Sequence, residues 1–87
     1  MRHQKNASLL VWDFTQYIML PKIRYAPEIG TYVSYDIAAF NCLDRAITEI
    51  SEDVTSDRNL ALRMVGMFNR HQLSPIHLDE AIHDMLN

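Results

Sequence analysis

The residues best suited to chemistry lie near the C-terminus of this 87-residue chain. His77, Glu80 and Asp84 are spaced i, i+3 and i+7, so a helix would bring all three to one face. Imidazole and carboxylate groups are the ligands from which a hydrolytic metal site is built. However, His-x-x-Glu falls short of the His-Glu-x-x-His pattern of catalytic zinc helices, and a polar face is also what a half-buried helix turns to solvent. We therefore expect no metal and keep these three residues as weak candidates.

Other catalytic patterns are missing from the sequence. Cys42 is the single cysteine, and its neighbours are not those of a nucleophilic cysteine. No serine stands in a Gly-x-Ser-x-Gly elbow, and Gly30 and Gly66 are too few glycines for a phosphate-binding loop. We therefore predict no enzyme activity and no cofactor, with a metal-dependent hydrolase as the least favoured alternative.

Composition is typical of a small globular domain. Apolar residues make up 48% of the chain and charged residues 22%, with a net charge of −3. An acidic balance argues against direct nucleic-acid binding, which needs a clustered basic surface. No apolar run approaches the about 20 residues of a membrane span, and a lone cysteine suits a reducing compartment. We expect one domain over residues 1–87, located in the cytoplasm and binding neither nucleic acid nor membrane.

Alternating apolar and polar residues predict strands in the first half of the chain. From Leu10 to Leu20 the even positions are apolar apart from Gln16, which is the period of a strand with one face turned to a core. We expect this strand to end at Pro21, because proline cannot donate a hydrogen bond to a neighbouring strand. Two further segments follow, of which the last also fits a short helix. The predicted strands cover about residues 9–20, 31–40 and 46–51.

Two helices are predicted in the second half. Ser56 is the expected N-cap of the first helix, and Ser74, followed by Pro75, is the expected N-cap of the second. Gly66 within the first helix is typical of close approach by another backbone. Apolar residues in the second helix recur with helical spacing as Leu78, Ala81, Ile82, Met85 and Leu86. The predicted helices cover about residues 57–71 and 75–86.

The order of these elements predicts the fold class. Strands followed by helices are typical of an α+β fold, in which helices cover an antiparallel sheet. We expect an N-terminal sheet of about three strands with two C-terminal helices packed on one face.

The C-terminal half also resembles a known family. The residues that carry the resemblance are 50–57, Asn69, the run Leu73-Ser74-Pro75-Ile76-His77-Leu78-Asp79, Ile82 and Asp84-Met85-Leu86. They are similar to a family of small uncharacterised domains from low-GC Gram-positive bacteria that end in a Ser-Pro-Ile-His-Leu helix. Tyr35-Asp36-Ile37 would match a Tyr-Gly-Ile strand of that family, with Asp36 where glycine is common. The resemblance implies an α+β fold and a bacterial origin, and it assigns no catalytic or ligand residues.

Large aromatic side chains in the strand half exceed what a small core needs. Trp12, Phe14 and Ile18 suit the core. The tyrosines and the methionine that remain in this half are residue types that protein interfaces favour. A core on both faces of the sheet, or a homodimer, would account for them equally well. The predicted interface residues are Tyr17, Met19, Tyr25 and Tyr32.

These observations favour a non-enzymatic protein-interaction domain of bacterial or phage origin, which binds another protein or a second copy of itself. The alternative is an inhibitor, encoded by a mobile element, that occupies the basic groove of a nucleic-acid enzyme such as a CRISPR effector. The acidic residues available for that role are Asp13, Glu28, Glu49, Glu52, Asp53 and Asp57.

Overall fold

The computed structural model describes residues 14–87 as three strands followed by two helices. A short 3-10 turn directly precedes the second helix. The predicted α+β class is confirmed, because both helices pack against the sheet that precedes them in the chain. The elements are β1 (Thr15–Ala26), β2 (Gly30–Asn41), β3 (Ala46–Thr55), α1 (Arg58–Arg70), the 3-10 turn (Pro75–His77) and α2 (Leu78–Leu86).

The strands form an antiparallel sheet in the order β1-β2-β3. β1 and β2 pair in continuous register along their full length, and Gly30 at the turn has a φ of 82°, in the left-handed region that favours glycine. β3 pairs only with the part of β2 from Tyr35 to Asn41. The β1–β2 hairpin therefore extends beyond the third strand as a two-stranded ribbon. We call residues 20–36, which are this ribbon together with its base next to β3, the distal ribbon.

The core lies between the two helices and the part of the sheet that contains β3. The ring of Tyr17 meets Phe68 edge to face with centroids 5.7 Å apart, and the Tyr17 hydroxyl donates a hydrogen bond to the carbonyl of Leu73. Because side chains alternate along a strand, Tyr17 lies on the same face of the sheet as Ile37. The residues of this core cluster are Tyr17, Ile37, Ala39, Met64, Phe68, Leu78 and Ile82.

β1 does not end at Pro21, contrary to the sequence prediction, but continues into the distal ribbon. β1 is an edge strand, and its odd-numbered residues turn their backbone N–H and C=O groups away from β2. This orientation is visible at Tyr17, whose N–H and C=O both bond the side chain of Asn69. A proline nitrogen at an outward position interrupts no pairing within the sheet. Predicted strand residues 9–13, including Trp12, lie outside the described residues.

The predictions for the middle of the chain are partly confirmed. Residues 46–51 are a strand, which extends beyond the predicted end to Thr55. The N-cap of α1 is Asp57 and not Ser56, since the Asp57 carboxylate accepts a hydrogen bond from the Leu60 amide at 3.1 Å. The residue with extended backbone angles directly before the helix is the one that can cap it.

The last helix begins differently from the prediction. The Ser74 hydroxyl makes no capping hydrogen bond, and its Oγ is buried without a partner among the described residues. The His77 amide instead bonds the Ser74 backbone carbonyl at 2.9 Å, which closes the 3-10 turn. Ser74 therefore marks the start through its backbone, and the prediction of a side-chain cap is wrong.

The apolar stripe of α2 is confirmed in its first part. Leu78 and Ile82 are buried, Met85 is half-buried and Leu86 is exposed. Gly66 in α1 faces open space, so the prediction that another backbone approaches it closely is wrong. None of the helices within residues 14–87 is long and apolar enough to cross a membrane.

Candidate interaction surface

The weak metal candidates lie on the exposed side of α2. His77 Nδ1 is 3.3 Å from Glu80 Oε1, and both side chains are more than half exposed. Such a contact between neighbours on a helix surface contributes little to stability. Within residues 14–87, no three His, Cys, Asp or Glu side chains stand close enough to hold a metal ion.

Cys42 lies in the turn after β2 and is exposed. Its Sγ is 3.8 Å from Gln16 Oε1, in a shallow depression beside the start of β1. A reactive thiol needs a neighbouring base or positive charge. None of the described side chains that line this depression supplies one; they are Phe14, Thr15, Gln16, Cys42, Asn69 and Gln72.

The four predicted interface residues do not share one environment. Tyr17 is 2% exposed and belongs to the core, where burial raises its pKa to about 12. Met19 is half-buried on the same face. Tyr32 is half-buried on the opposite face, with its hydroxyl 3.4 Å from Asp53 Oδ2. Tyr25 alone projects freely, at 72% exposed. Tyr17 is therefore not available to a partner, whereas Tyr25 is.

The most exposed apolar side chains of the sheet lie on the distal ribbon, on the face that continues the core. Ile23 is 78% exposed and stands directly opposite Val33, which is 44% exposed. Ile29, in the turn, is 68% exposed. Strand alternation places no charged residue on this face of the distal ribbon. We call Ile23, Tyr25 and Val33, together with Ile29 of the adjoining turn, the apolar ribbon surface.

The opposite face of the distal ribbon carries a network of polar side chains, of which Ser34 and Asp36 are fully buried. Arg24 donates from Nη2 to Asp36 Oδ1 at 2.7 Å and from Nε to Ser34 Oγ at 2.8 Å. The Asp53 backbone amide donates to the same Asp36 oxygen at 2.8 Å, and Lys22 Nζ lies 3.3 Å from the other. We call Lys22, Arg24, Ser34, Asp36 and Asp53 the polar network.

A break in the strand pairing positions the polar network. Next to Asp36 the pairing of β2 with β3 shifts register, and Asp53 adopts a φ of 54°, which aspartate tolerates better than most residues. Burial alone would raise the pKa of Asp36, but hydrogen bonds from the Asp53 amide and Arg24, together with the positive charge of Lys22 at 3.3 Å, outweigh it and hold the pKa below its ordinary value. The carboxylate therefore stays ionised inside the network at neutral pH.

Asn69 of α1 closes part of the outer edge of β1. Its Oδ1 accepts a hydrogen bond from the Tyr17 amide at 2.7 Å, and its Nδ2 donates to the Tyr17 carbonyl at 3.1 Å. One amide side chain thus satisfies both backbone groups that another strand would otherwise pair with. Pro21, further along the same edge, offers no N–H. Pairing by strand addition is therefore interrupted at both positions.

The acidic residues of the alternative inhibitor hypothesis are divided between the turn of the distal ribbon, β3 and the start of α1. Glu28 lies in the turn of the distal ribbon, away from β3, while Asp53 Oδ1 is 3.8 Å from Arg24 Nε and Asp57 caps α1. Glu49 and Glu52 are exposed on β3. Asp13 lies outside the described residues.

Of the residues of the apolar ribbon surface, the predicted interface included Tyr25 but not Ile23, Ile29 or Val33. The predicted strands cover residues 9–20 and 31–40, so Ile23 and Ile29 lie outside them. Val33 lies in a predicted strand whose alternation favours burial, and its exposure runs against that pattern. A signal was nevertheless present, because Lys22 and Arg24 alternate with Ile23 and Tyr25, and Asp36 stands within reach across the hairpin. Charged residues of opposite sign on one face indicate that the side chains of this face can pair with one another.

In comparisons with known proteins, no family model, no curated protein and no solved structure matches this chain.

Proposed function

We propose that this protein is a non-enzymatic protein-interaction domain that docks its partner on the apolar ribbon surface. The observation that carries the proposal is an inversion of the usual arrangement. In the distal ribbon Ile23 and Tyr25 are exposed, whereas Ser34 and Asp36 on the other face are fully buried. A ribbon whose polar side chains are buried on one face, and whose apolar side chains are exposed on the other, has a surface suited to association.

The size and character of the surface support this function. The largest exposed apolar patch of a typical monomer is about 300–600 Å² and is often functional. Removing such area from water contributes about 25 cal/mol per Å². Tyr25 adds an aromatic ring with a polar tip, which is the kind of side chain that dominates binding energy at interfaces.

The polar network supports the proposal from the other side of the ribbon. Arg24 joins β1 to Ser34 and Asp36 on β2, and the Asp53 amide ties Asp36 to β3. These contacts favour one arrangement of the two strands before a partner binds. Pre-organisation lowers the entropic cost of binding, so a modest apolar surface can still give useful affinity.

A bacterial or phage origin and a cytoplasmic location complete the proposal. The resemblance of the C-terminal half to small domains of low-GC Gram-positive bacteria supports the origin. Cys42 as the single cysteine is compatible with a reducing compartment.

Site-specific photo-crosslinking tests the docking surface. A photoreactive phenylalanine analogue replaces Tyr25 in the full chain, and the matched control carries it at Ile76, which is also exposed and apolar but lies in the 3-10 turn. We expect irradiation of a bacterial host, and of concentrated purified protein, to give a discrete protein adduct from position 25 that disappears with Ile23→Glu. No adduct at position 25 in either setting, or equal adducts from both positions, would contradict the proposed function.

A further inference from the structure

We infer that the partner seated on the apolar ribbon surface is a second copy of this chain, with the two distal ribbons packed face to face and antiparallel about a two-fold axis. The inference rests on the proposed docking surface and names its occupant. Three observations indicate that the partner is a second copy of the chain. They are the charge of the surface, its area, and the obstruction of edge-to-edge pairing at β1.

The charge distribution suits self-association. In a two-fold interface the same patch of both subunits meets itself, so a charge near the axis would face a like charge. No charged residue of β1 or β2 lies on the same face as the strand residues of the apolar ribbon surface. Lys22 and Arg24 lie on the opposite face, where they contact Asp36. In the antiparallel arrangement the two turns, each with its Glu28, lie at opposite ends of the dimer.

The area is at the lower limit of what a dimer needs. The four side chains are 78%, 72%, 68% and 44% exposed. Since a large aromatic side chain buries about 150–250 Å² and an aliphatic one somewhat less, the patch amounts to roughly 500 Å² per copy. Two copies would bury on the order of 1,000 Å², the threshold for a specific interface. We therefore expect a reversible dimer with a micromolar Kd.

The competing geometry, edge-to-edge pairing of β1 strands, is obstructed. Asn69 occupies the outward backbone groups of Tyr17, and Pro21 has no N–H to give. Beyond Pro21 only Ile23 and Tyr25 turn their backbone groups to this edge. Two residues make a short ladder, so packing of the apolar faces offers more contact than pairing of the edges.

The test compares two isoleucines that are equally exposed. Ile23, on the apolar ribbon surface, and Ile76, in the 3-10 turn, are both 78% exposed. The full chain, Ile23→Glu and Ile76→Glu are measured by sedimentation velocity over about 1–500 µM, the range that brackets a micromolar Kd. We expect the parent and Ile76→Glu to show the same concentration-dependent dimer. Ile23→Glu should raise the Kd at least about 30-fold, because each substitution places two buried carboxylates in the symmetric interface.

A second variant keeps the test valid if Ile23→Glu unfolds. Tyr25→Ser removes exposed aromatic area without adding charge and is expected to weaken the dimer about tenfold, as loss of an interface anchor does. A monomeric parent at the highest concentration, or equal weakening by Ile76→Glu and Ile23→Glu, would overturn the inference. If the parent is monomeric but position 25 crosslinks a different protein in an Ile23-dependent manner, the second copy is wrong and the docking function stands. If both experiments are negative, both proposals fail.

Discussion

Ile37 and Ile23 lie on the same face of the same hairpin, yet Ile37 is fully buried and Ile23 is among the most exposed side chains described. The residue type and the strand pattern are identical, so intrinsic propensity does not explain the difference in burial. The difference arises because the helices cover Ile37 and do not cover Ile23. A 12-residue strand is about 40 Å long, whereas the 13 residues of α1 span about 20 Å. The sheet is therefore longer than the helix that packs on it, and the end of the sheet that the helix does not cover is exposed to solvent.

The two regions are also held together by different forces. Around Ile37 the sheet is held by apolar packing against Met64 and Leu78. In the distal ribbon the strands are tied across the opposite face by Arg24 and Asp36. A region whose order depends on polar contacts can leave its apolar face open without losing its shape, and this is the condition for a preformed docking surface.

The largest difference between the two regions is expected from matched truncations. Ile37→Ala should lower the free energy of unfolding by about 2–5 kcal/mol, because it opens a cavity in the core. Ile23→Ala should change it by less than about 0.5 kcal/mol, since its side chain is already in water. Urea denaturation of both variants at a concentration below the dimer Kd measures the two values. Equal losses would show that the distal ribbon is packed as tightly as the core.

The polar network is expected to be the next most sensitive site. Asp36→Asn keeps an oxygen for the Asp53 amide but loses the charge that Arg24 and Lys22 contact. Hydrogen bonds to charged groups contribute about 1.5–3 kcal/mol, so we expect a loss of about 2 kcal/mol at neutral pH. Asp84→Asn, at an exposed position on α2, is the control and should be near neutral. A parent-like urea midpoint for Asp36→Asn would mean that the ribbon does not depend on this network.

The same pair of proteins gives a pH prediction with a definite sign. Because the pKa of Asp36 is lowered in the folded protein, its contribution is fully present above the unfolded pKa of about 4. It is lost as the pH falls through the lower folded pKa. The stability difference between parent and Asp36→Asn should therefore be constant near neutrality and shrink in acid. A difference that grew on acidification would contradict the assigned protonation.

Asn69 tests how the covered region is joined to the edge of β1. Asn69→Ala removes two hydrogen bonds to the Tyr17 backbone and should cost about 1–2 kcal/mol. Asn59→Ala, at an exposed position of the same helix, is the control and should change stability by less than about 0.5 kcal/mol. Thermal melts of the two variants side by side give the comparison, and matching melting temperatures would remove the role assigned to Asn69.

The smallest effects are expected at the starts of the helices that form the cover. Asp57→Ala should destabilise by about 1 kcal/mol, because it removes the cap of α1. Ser74→Ala should be neutral or slightly stabilising, since the Ser74 hydroxyl is buried without a partner among the described residues. Chemical denaturation resolves differences of this size. A larger loss of stability for Ser74→Ala than for Asp57→Ala would indicate that the Ser74 side chain does cap the last helix.

The fold class could be predicted from sequence because its main signals are local. The alternation over 31–40 predicts a strand, and the spacing of Leu78 and Ile82 predicts a helix with a buried face. Burial along the strand does not follow its alternation, because Val33 is exposed whereas Ser34 and Asp36 are buried. The continuation of β1 past Pro21 could not be predicted in the same way. Whether a proline is tolerated depends on whether its nitrogen points toward a neighbour or away from the sheet, and that is a property of the strand order.

The candidate surface was predictable only in part, for a related reason. Tyr17 and Tyr25 are the same residue type on the same face of one strand, and composition assigns them the same role. One lies under Phe68 and the other beyond the reach of α1. The difference depends on how far the helices extend over the sheet, which is set by three-dimensional packing.

The contacts of Tyr17 also bear on the order in which the chain assembles. Its bonds to Asn69 and Leu73 join residues 52 and 56 positions apart, whereas the strands pair between neighbouring segments. Closing a long loop costs more entropy than forming a hairpin, so we expect the sheet to form first and these bonds to form when the helices dock. Until then the outer edge of β1 at Tyr17 is open to other chains. The step that completes the core also ends this period of vulnerability to aggregation.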